Sequence, residues 1–316
     1  VAEPEPECEF DGPWKEAIGE FFEDFLRFFF APVHAAVDWS RGHEFLDKEL
    51  EKLARGSEAG RGTVDKLVRV WLLDGSERWV LVHVEVQNQP QAAFAERMYT
   101  YNHRLRDYYG RMPVSVAVLG DEQPGWRPTE FVEGQLGCEV RFRFLTAKLL
   151  EWTGREDDLA ADANPFAAVT VAHLKTLETR GRPDARSEWK RTVARGLYDR
   201  GFGRERVRRL FRVIDWIMAL SPPRQAAFVA DHTRFEEDRK MPFVSPTEQL
   251  WMDRGAEKGK LEAIESILDV RFGAEGVALM PRVRTIRDLT ALSDLHRLAV
   301  TADLAAIAAR LPAEAP

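Results

Sequence analysis

Apolar residues recur at helical spacing from Trp14 to Phe30, at Ile18, Phe21, Phe22, Phe25, Leu26 and Phe29, which predicts an amphipathic helix with a heavily aromatic face. A second helix is expected from His43 to Ala54, stopped by a loop that holds Gly56, Gly60 and Gly62. From Thr63 the period changes to two. Strand-like runs at Thr63 to Leu73 and Arg78 to Gln87 flank Asp74-Gly75-Ser76-Glu77, a hairpin signal. A helix from Ala92 to Tyr109, a buried strand from Pro113 to Leu119 and a further strand from Glu139 to Leu145 follow. Beyond about Glu151 the pattern is helical to the end, with breaks near Pro165, Gly181-Arg182-Pro183, Gly201, Ser221-Pro222-Pro223, Pro242 to Pro246 and Gly273 to Pro281. The expected class is α/β, a mixed β-sheet flanked by helices and followed by an all-helical C-terminal half. The expected divisions are a core over 1–150, a helical region over 151–244 and a C-terminal helical region over 245–316.

The hairpin carries the candidate chemistry. In its second strand the even positions are Val80, Val82, Val84 and Val86, and the odd ones are Trp79, Leu81, His83, Glu85 and Gln87. Side chains alternate across a strand, so the valines form the core face and the polar groups share the other. Asp65 is odd as well, with Leu67, Arg69 and Trp71. A hairpin midpoint at Gly75 would set Asp65 directly across from Glu85, with Cβ atoms about 5 Å apart. Two adjacent carboxylates repel unless one is protonated or a cation lies between them. A hard, oxygen-preferring ion such as Mg²⁺ or Mn²⁺ resolves the repulsion and retains water that can act as a nucleophile. The bland alternative is a solvated edge or an ion pair. Against it, these polar groups interrupt strands otherwise chosen for burial, a pattern typical of functional sites. His83 shares the face by parity, where it would contact a scissile phosphate or donate a proton, or else serve only as a hydrogen-bond partner.

Composition narrows the field. With 316 residues, 45% of them hydrophobic, the chain can bury a sizeable core. No apolar run approaches the roughly 20 residues needed to span a bilayer, and the acidic, Pro-rich start is unlike a secretory signal, so a cytoplasmic protein is expected. The first seven residues are expected to be disordered. Cys8 and Cys138 are the only cysteines and neither has metal-ligand spacing, which excludes a sulfur-ligated zinc site. The net charge of −7 is unevenly spread: residues 180–212 hold twelve Lys/Arg against four Asp/Glu. Within that stretch Arg204, Arg208 and Arg212 fall on one helical side, which suits tracking a phosphate backbone, or else pairing with acidic parts of the same protein. No phosphate-binding Gly-rich loop, helix-turn-helix or zinc-finger spacing is present, which excludes ATP-driven action and sequence-specific reading by those motifs.

At Val64-Asp65-Lys66-Leu67-Val68 and Val82-His83-Val84-Glu85-Val86-Gln87 the chain resembles the PD-(D/E)XK nuclease superfamily, and more closely its recombination-promoting nuclease and transposase family of bacteria. The similarity extends to Phe45-Leu46-Asp47-Lys48-Glu49-Leu50, Glu96-Arg97-Met98-Tyr99-Thr100-Tyr101-Asn102, Asn164-Pro165-Phe166, Ile214-Asp215-Trp216 and Arg271-Phe272-Gly273. The resemblance implies a Mg²⁺-dependent DNA endonuclease in which Asp65 and Glu85 bind the metal and Gln87 stands where most of the superfamily has Lys. Gln can position a water but adds no charge. Slower cleavage, or a compensating cation from Lys66, Arg69 or Arg97, is therefore expected. Arg97 and Tyr99 on the following helix are candidate phosphate contacts, and superfamily folds often add an acid from the first helix, for which Glu20, Glu23 and Asp24 are available. DNA is the implied partner, with a homo-oligomer as a further expectation. The readings of a different class are a nuclease-fold DNA-binding or scaffold protein that does not turn over, and a helical interaction protein whose function lies after Thr247.

Overall fold

The computed structural model describes residues 10–46, 64–85, 93–239, 246–286 and 288–311, with the backbone alone described at 64, 65, 79, 81–85, 246–258, 289, 290 and 301. The expected disordered start, most of the second expected helix and Gln87 lie outside the described residues. The architecture is mixed α/β with small sheets and many helices, and about 63% of the described residues are helical. Among the described residues no helix is long and apolar enough to cross a membrane.

The aromatic N-terminal stretch forms three short helices, α1 (Asp11–Glu20), α2 (Phe22–Phe29) and α3 (Ala31–Ala36). The single expected helix is interrupted at Phe21 and Phe30, whose backbones leave helical geometry. The breaks let Trp14, Phe25 and Phe29 converge on Phe166, with ring centroids 5.3 to 6.0 Å apart. Such pairs add about 1 kcal/mol each beyond their buried area.

His43 to Phe45 is a strand, β1, where a helix was expected. It pairs antiparallel with β2 (Val64–Trp71), matching His43 to Val70 and Phe45 to Val68. Pairing with an open sheet edge overrides local helix propensity here. β2 pairs antiparallel with β3 (Glu77–Glu85). Then α4 (Phe94–Tyr109) crosses over to β4 (Val114–Leu119), which lies parallel to β3. A parallel neighbour requires such a crossover. The expected single strand at 139–145 is two elements: β6 (Cys138–Arg143) pairs with β5 (Glu130–Gln135) in a separate two-stranded sheet, and β7 (Leu145–Lys148) joins the main sheet beside β4. The main sheet runs β1-β2-β3-β4-β7.

Helices cover both faces. Phe22 of α2 packs on His43 and Phe45, whose face continues through Val68, Val70 and Val80. On the other face α4 lays Phe94 and Met98 against Ala117 and Leu119. The Asn102 amide pins that helix by donating to Pro113 O and Ser115 Oγ, each at 2.9 Å.

The remainder is helical: α5 (Glu156–Ala161), α6 (Pro165–Glu178), α7 (Pro183–Asp199), α8 (Arg204–Ile217) and α9 (Pro222–Asp238). Pro165, Pro183 and Pro222 each stand at a helix start, where their missing N–H costs nothing. Residues through His232 form one compact unit, and residues from Thr233 form a second. In the second unit α10 (Pro246–Val277) kinks at Gly273, which adopts φ 56°. It packs with α11 (Met280–Val283), α12 (Leu289–Thr301) and α13 (Leu304–Arg310) around Ile264, Leu268, Leu292, Leu295 and Ile307.

Two buried histidines tie the first unit together. His173 on α6 accepts from Trp14 Nε1 at 3.3 Å and contacts Gly120 O through Nε2 at 3.0 Å, linking α1, α6 and the end of β4. This pattern fits the neutral ring that donates from Nε2. His232 on α9 lies against Phe211, Phe228 and Tyr198. Burial pushes both rings down to about 4, assisted at His232 by the Arg195 charge.

An unfolded histidine titrates near 6.5, so between these values the unfolded chain binds more protons. The stability due to the neutral rings is therefore full above about pH 6.5 and falls as the pH drops towards 4, by up to about 3 kcal/mol for each histidine. Urea unfolding across that range should show this decline. His232→Phe, which keeps the ring stack, should remove about half of it; an unaltered pH profile in the variant would reject the assignment.

Candidate metal and nucleic-acid site

A three-residue turn sets the geometry of the β2–β3 hairpin. Leu72 N–H donates to Ser76 O at 2.7 Å and Gly75 N–H donates to Leu72 O at 2.8 Å. The Asp74 carboxylate accepts Ser76 N–H at 2.8 Å, and the Ser76 hydroxyl and N–H hold its pKa below the ordinary value. Gly75 adopts φ 80°, a conformation that glycine enters without steric cost. The loop thus centres on Asp74 rather than on Gly75.

One step in the centre moves the register by two. Asp65 pairs with His83, and Val64 with Val84, so Glu85 is the diagonal neighbour of Asp65 and not its direct partner. A shift of two preserves parity, so positions 65, 83 and 85 still share one sheet face. Diagonal positions lie about 7 to 8 Å apart, within reach of two carboxylates that meet at one ion. The shared face is the one that α4 covers, because Glu85 pairs with Leu119 and His83 with Ala117. Position 85 is also at the carboxyl end of β3, level with the ends of β4 and β7, where sheets of this kind commonly bind ligands.

The three candidate compensating cations separate clearly. Lys66 is on the opposite face, 5.1 Å from the centre of the Phe45 ring. Arg69 shares the face but sits four residues along β2 from Asp65, about 13 Å away, and pairs with Glu44. Arg97 remains. It is buried on α4, with its guanidinium 5.6 Å from the Phe94 ring centre. Tyr99 lies two residues on, about 200° around the helix from Arg97. Its ring stacks on Phe131 of β5 at 4.9 Å and on His103 at 5.7 Å. Tyr99 therefore occupies the flank beside the β5–β6 hairpin, and Arg97 a different side of the helix, next to Phe94.

The first-helix acids do not join this face. Asp24 pairs with Arg206 at 2.6 Å, Glu20 with Arg209 and Glu23 with Arg27. They belong to α1 and α2, and α2 packs on the other side of the sheet. The same pairs explain the basic stretch. Arg206, Arg209 and Arg212 meet Asp24, Glu20 and Glu16, while Arg208 contacts Glu205 at 2.8 Å. Arg208 and Arg209 pull the Glu205 carboxyl down to about 2. Arg204 is exposed at the start of α8. The sequence spacing of Arg204, Arg208 and Arg212 is real, but much of this positive charge is matched by the acidic helices of the same unit.

A buried pair close to the candidate site was missed from sequence. Lys148 Nζ contacts Asp121 Oδ2 at 2.5 Å and donates to Trp126 O at 3.1 Å, and both side chains are almost fully buried. Position 148 is in the row of Glu85 and Leu119, two strands and about 10 Å from position 85. A lone Lys at the end of Leu145-Thr146-Ala147-Lys148 was the available signal. Breaking such a pair costs about 3 to 5 kcal/mol, because it strands a buried charge.

Among the described residues no group of three or more His, Cys, Asp and Glu side chains is arranged to hold a metal ion. The one described cysteine, Cys138, is free and exposed. Comparisons with protein-family models, with curated proteins and with solved structures find no match.

If ion pairing neutralises α8, then Arg208→Gln with Arg212→Gln should cost no more than about 1 kcal/mol per pair in urea unfolding. The salt dependence of DNA binding, followed by fluorescence anisotropy, should stay unchanged. A fall of about 2 in the slope of log affinity against log salt would return these arginines to the DNA interface.

Proposed function

We propose that this chain is a Mg²⁺- or Mn²⁺-dependent DNA endonuclease of the PD-(D/E)XK type, related to the recombination-promoting and transposase-associated nucleases, that works on DNA in the cytoplasm. The observation that carries the reading is the hairpin register, which brings positions 65, 83 and 85 together on one face at the carboxyl end of β3. The donor types fit the ion, since two carboxylates offer the hard oxygen ligands that Mg²⁺ prefers. When bound, the ion supplies positive charge to a phosphate oxygen and lowers the pKa of a water.

The chain's own residues perform the remaining work. Asp65 and Glu85 would hold the ion, whose charge makes two neighbouring carboxylates tolerable. Gln87 orients the attacking water by hydrogen bonding and contributes no charge. Arg97, buried on the helix that covers this face, would supply the positive charge that a Lys at position 87 would have given. His83, opposite Asp65 in the register, would steady a phosphate oxygen or the Asp65 carboxylate. The neutral Gln87 also favours a second reading, a nuclease-fold protein that binds DNA without cutting it.

Nicking of supercoiled plasmid by purified protein with Mn²⁺ separates the two. Asp65→Asn and Glu85→Gln should each lower the rate at least a hundredfold, and Gln87→Lys should raise it about tenfold. Salt-dependent DNA binding with no nicking by the wild type or by Gln87→Lys would establish the binding reading instead. Equal nicking by wild type and both carboxylate variants would mean that the activity is not this protein's.

A further inference from the structure

The second unit contains a cleft that the nuclease reading does not use. It lies between α10 and α12, has a volume of about 470 Å³, and is lined by Gly259, Lys260 and Ala263 from one helix and Ser293, His296 and Arg297 from the other. The side chains divide by role. Gly259 and Ala263 are four residues apart, hence on one side of α10, and their small size leaves the groove open. Ser293, His296 and Arg297 have the i, i+3, i+4 spacing that puts all three on one side of α12.

Gly259 is informative because neither its backbone nor its packing requires glycine. It lies inside a helix, outside the left-handed region, and a Cβ there would meet nothing within 4 Å. Glycine in a helix interior costs about 1 kcal/mol relative to alanine. What the missing side chain provides is room above the groove.

Beside the apolar surface of Gly259 and Ala263, the polar groups of the lining are Lys260, Ser293, His296 and Arg297, and no carboxylate is among the described residues that line it. Lys260 Nζ donates to Ser293 Oγ, which fixes the ammonium at the wall. Arg297 pairs with Asp294, an exposed residue that does not line the cleft. A second cleft, of about 330 Å³ between α7 and α9, shows the contrast. There Arg191 and Arg224 stand beside Asp184 and Glu188, so opposite charges share one wall. Charged groups of one sign, Lys260 and Arg297, beside the Ser293 hydroxyl and the His296 ring disfavour a metal cation and favour an anion with several acceptor oxygens.

We propose that the α10–α12 cleft is a phosphate-binding site that engages the phosphodiester backbone of DNA, with Lys260 and Arg297 supplying the charge and Ser293 and His296 the hydrogen bonds. The choice of DNA rests on the nuclease reading; the phosphate chemistry comes from the cleft itself. Backbone contacts of this kind position a protein on DNA without reading its sequence.

The test is duplex DNA binding by the full chain in EDTA, so that it does not depend on cleavage. In fluorescence anisotropy, Lys260→Gln with Arg297→Gln should lower the slope of log affinity against log salt by about 2, so that raising salt from 50 to 200 mM costs the variant about tenfold less affinity than it costs the wild type. The charge-keeping pair Lys260→Arg with Arg297→Lys should retain the wild-type slope. Circular dichroism confirms that each variant is folded. Equal slopes in wild type and the Gln variant, an equal fall in the charge-keeping pair, or no DNA binding by wild type would each overturn the proposal. Calorimetry with inorganic phosphate distinguishes the source of the anion: phosphate binding lost in the Gln variant while the DNA slopes agree would make this a free-phosphate site and overturn the DNA assignment. Nicking fails or succeeds independently of all these results.

Discussion

The bond from Leu72 N–H to Ser76 O closes the β2–β3 turn around Asp74, and the placement of the candidate chemistry follows from that closure. In an antiparallel pair the turn fixes which residues face one another, and a slip of one residue would send every side chain to the other face. Asp74 and Gly75 hold the turn for different reasons, one by accepting Ser76 N–H and the other by entering positive φ. With the turn set, Val68 and Val80 fall on the face packed by the aromatic helices, and positions 65, 83 and 85 fall on the face crossed by α4. The crossover then decides which cations are near. Arg97 rides on α4 above that face, whereas Lys66, adjacent to Asp65 in sequence, points to the Phe45 side.

Charge in this molecule is mostly spent on itself. The arginines of α8 and the acids of α1 and α2 are far apart in sequence and adjacent in space, so a basic stretch and an acidic run that each suggested an interface largely answer one another. Two buried pairs take this further. Lys148 with Asp121 closes the carboxyl end of the sheet, and Lys190 with Asp215, at 2.7 Å, joins α7 to α8, with the Gln225 amide of α9 hydrogen-bonded to both. Such pairs are worth little against an apolar replacement but are costly to break singly, so they fix which helices pack together more than they add stability. The α10–α12 cleft stands out against this background because the described residues of its lining include two cations and no acid.

Much of this was legible in the sequence where a local rule had no competitor. The hairpin, α4, β4 and the helical second half followed from periodicity, and Pro165, Pro183 and Pro222 marked helix starts. Parity put positions 65, 83 and 85 on one face because alternation along a strand does not depend on tertiary contacts. Other features were set at longer range. The strand at His43 to Phe45 exists because β2 offers an open edge, and the split of the expected strand at 139–145 reflects pairing with β5, itself a short and mostly exposed element with a weak alternation signal. The register was missed by two because Asp74 and Gly75 are equally good turn residues, and the spacing alone does not say which one the loop centres on. Partners such as Arg206 with Asp24 could not be read from either helix by itself.

The central claim is that Asp65 and Glu85 act as one site, and Mn²⁺ affinity in a double-substitution cycle tests it most directly. Electron paramagnetic resonance titration of wild type, Asp65→Asn, Glu85→Gln and the double variant gives the four values needed. If the two carboxylates share an ion, the wild type binds Mn²⁺, each single change weakens binding at least tenfold, and the double change costs little more than either one, since removing one ligand already dismantles the site. Undiminished Mn²⁺ binding in the double variant, or two independent losses that simply add, would contradict it.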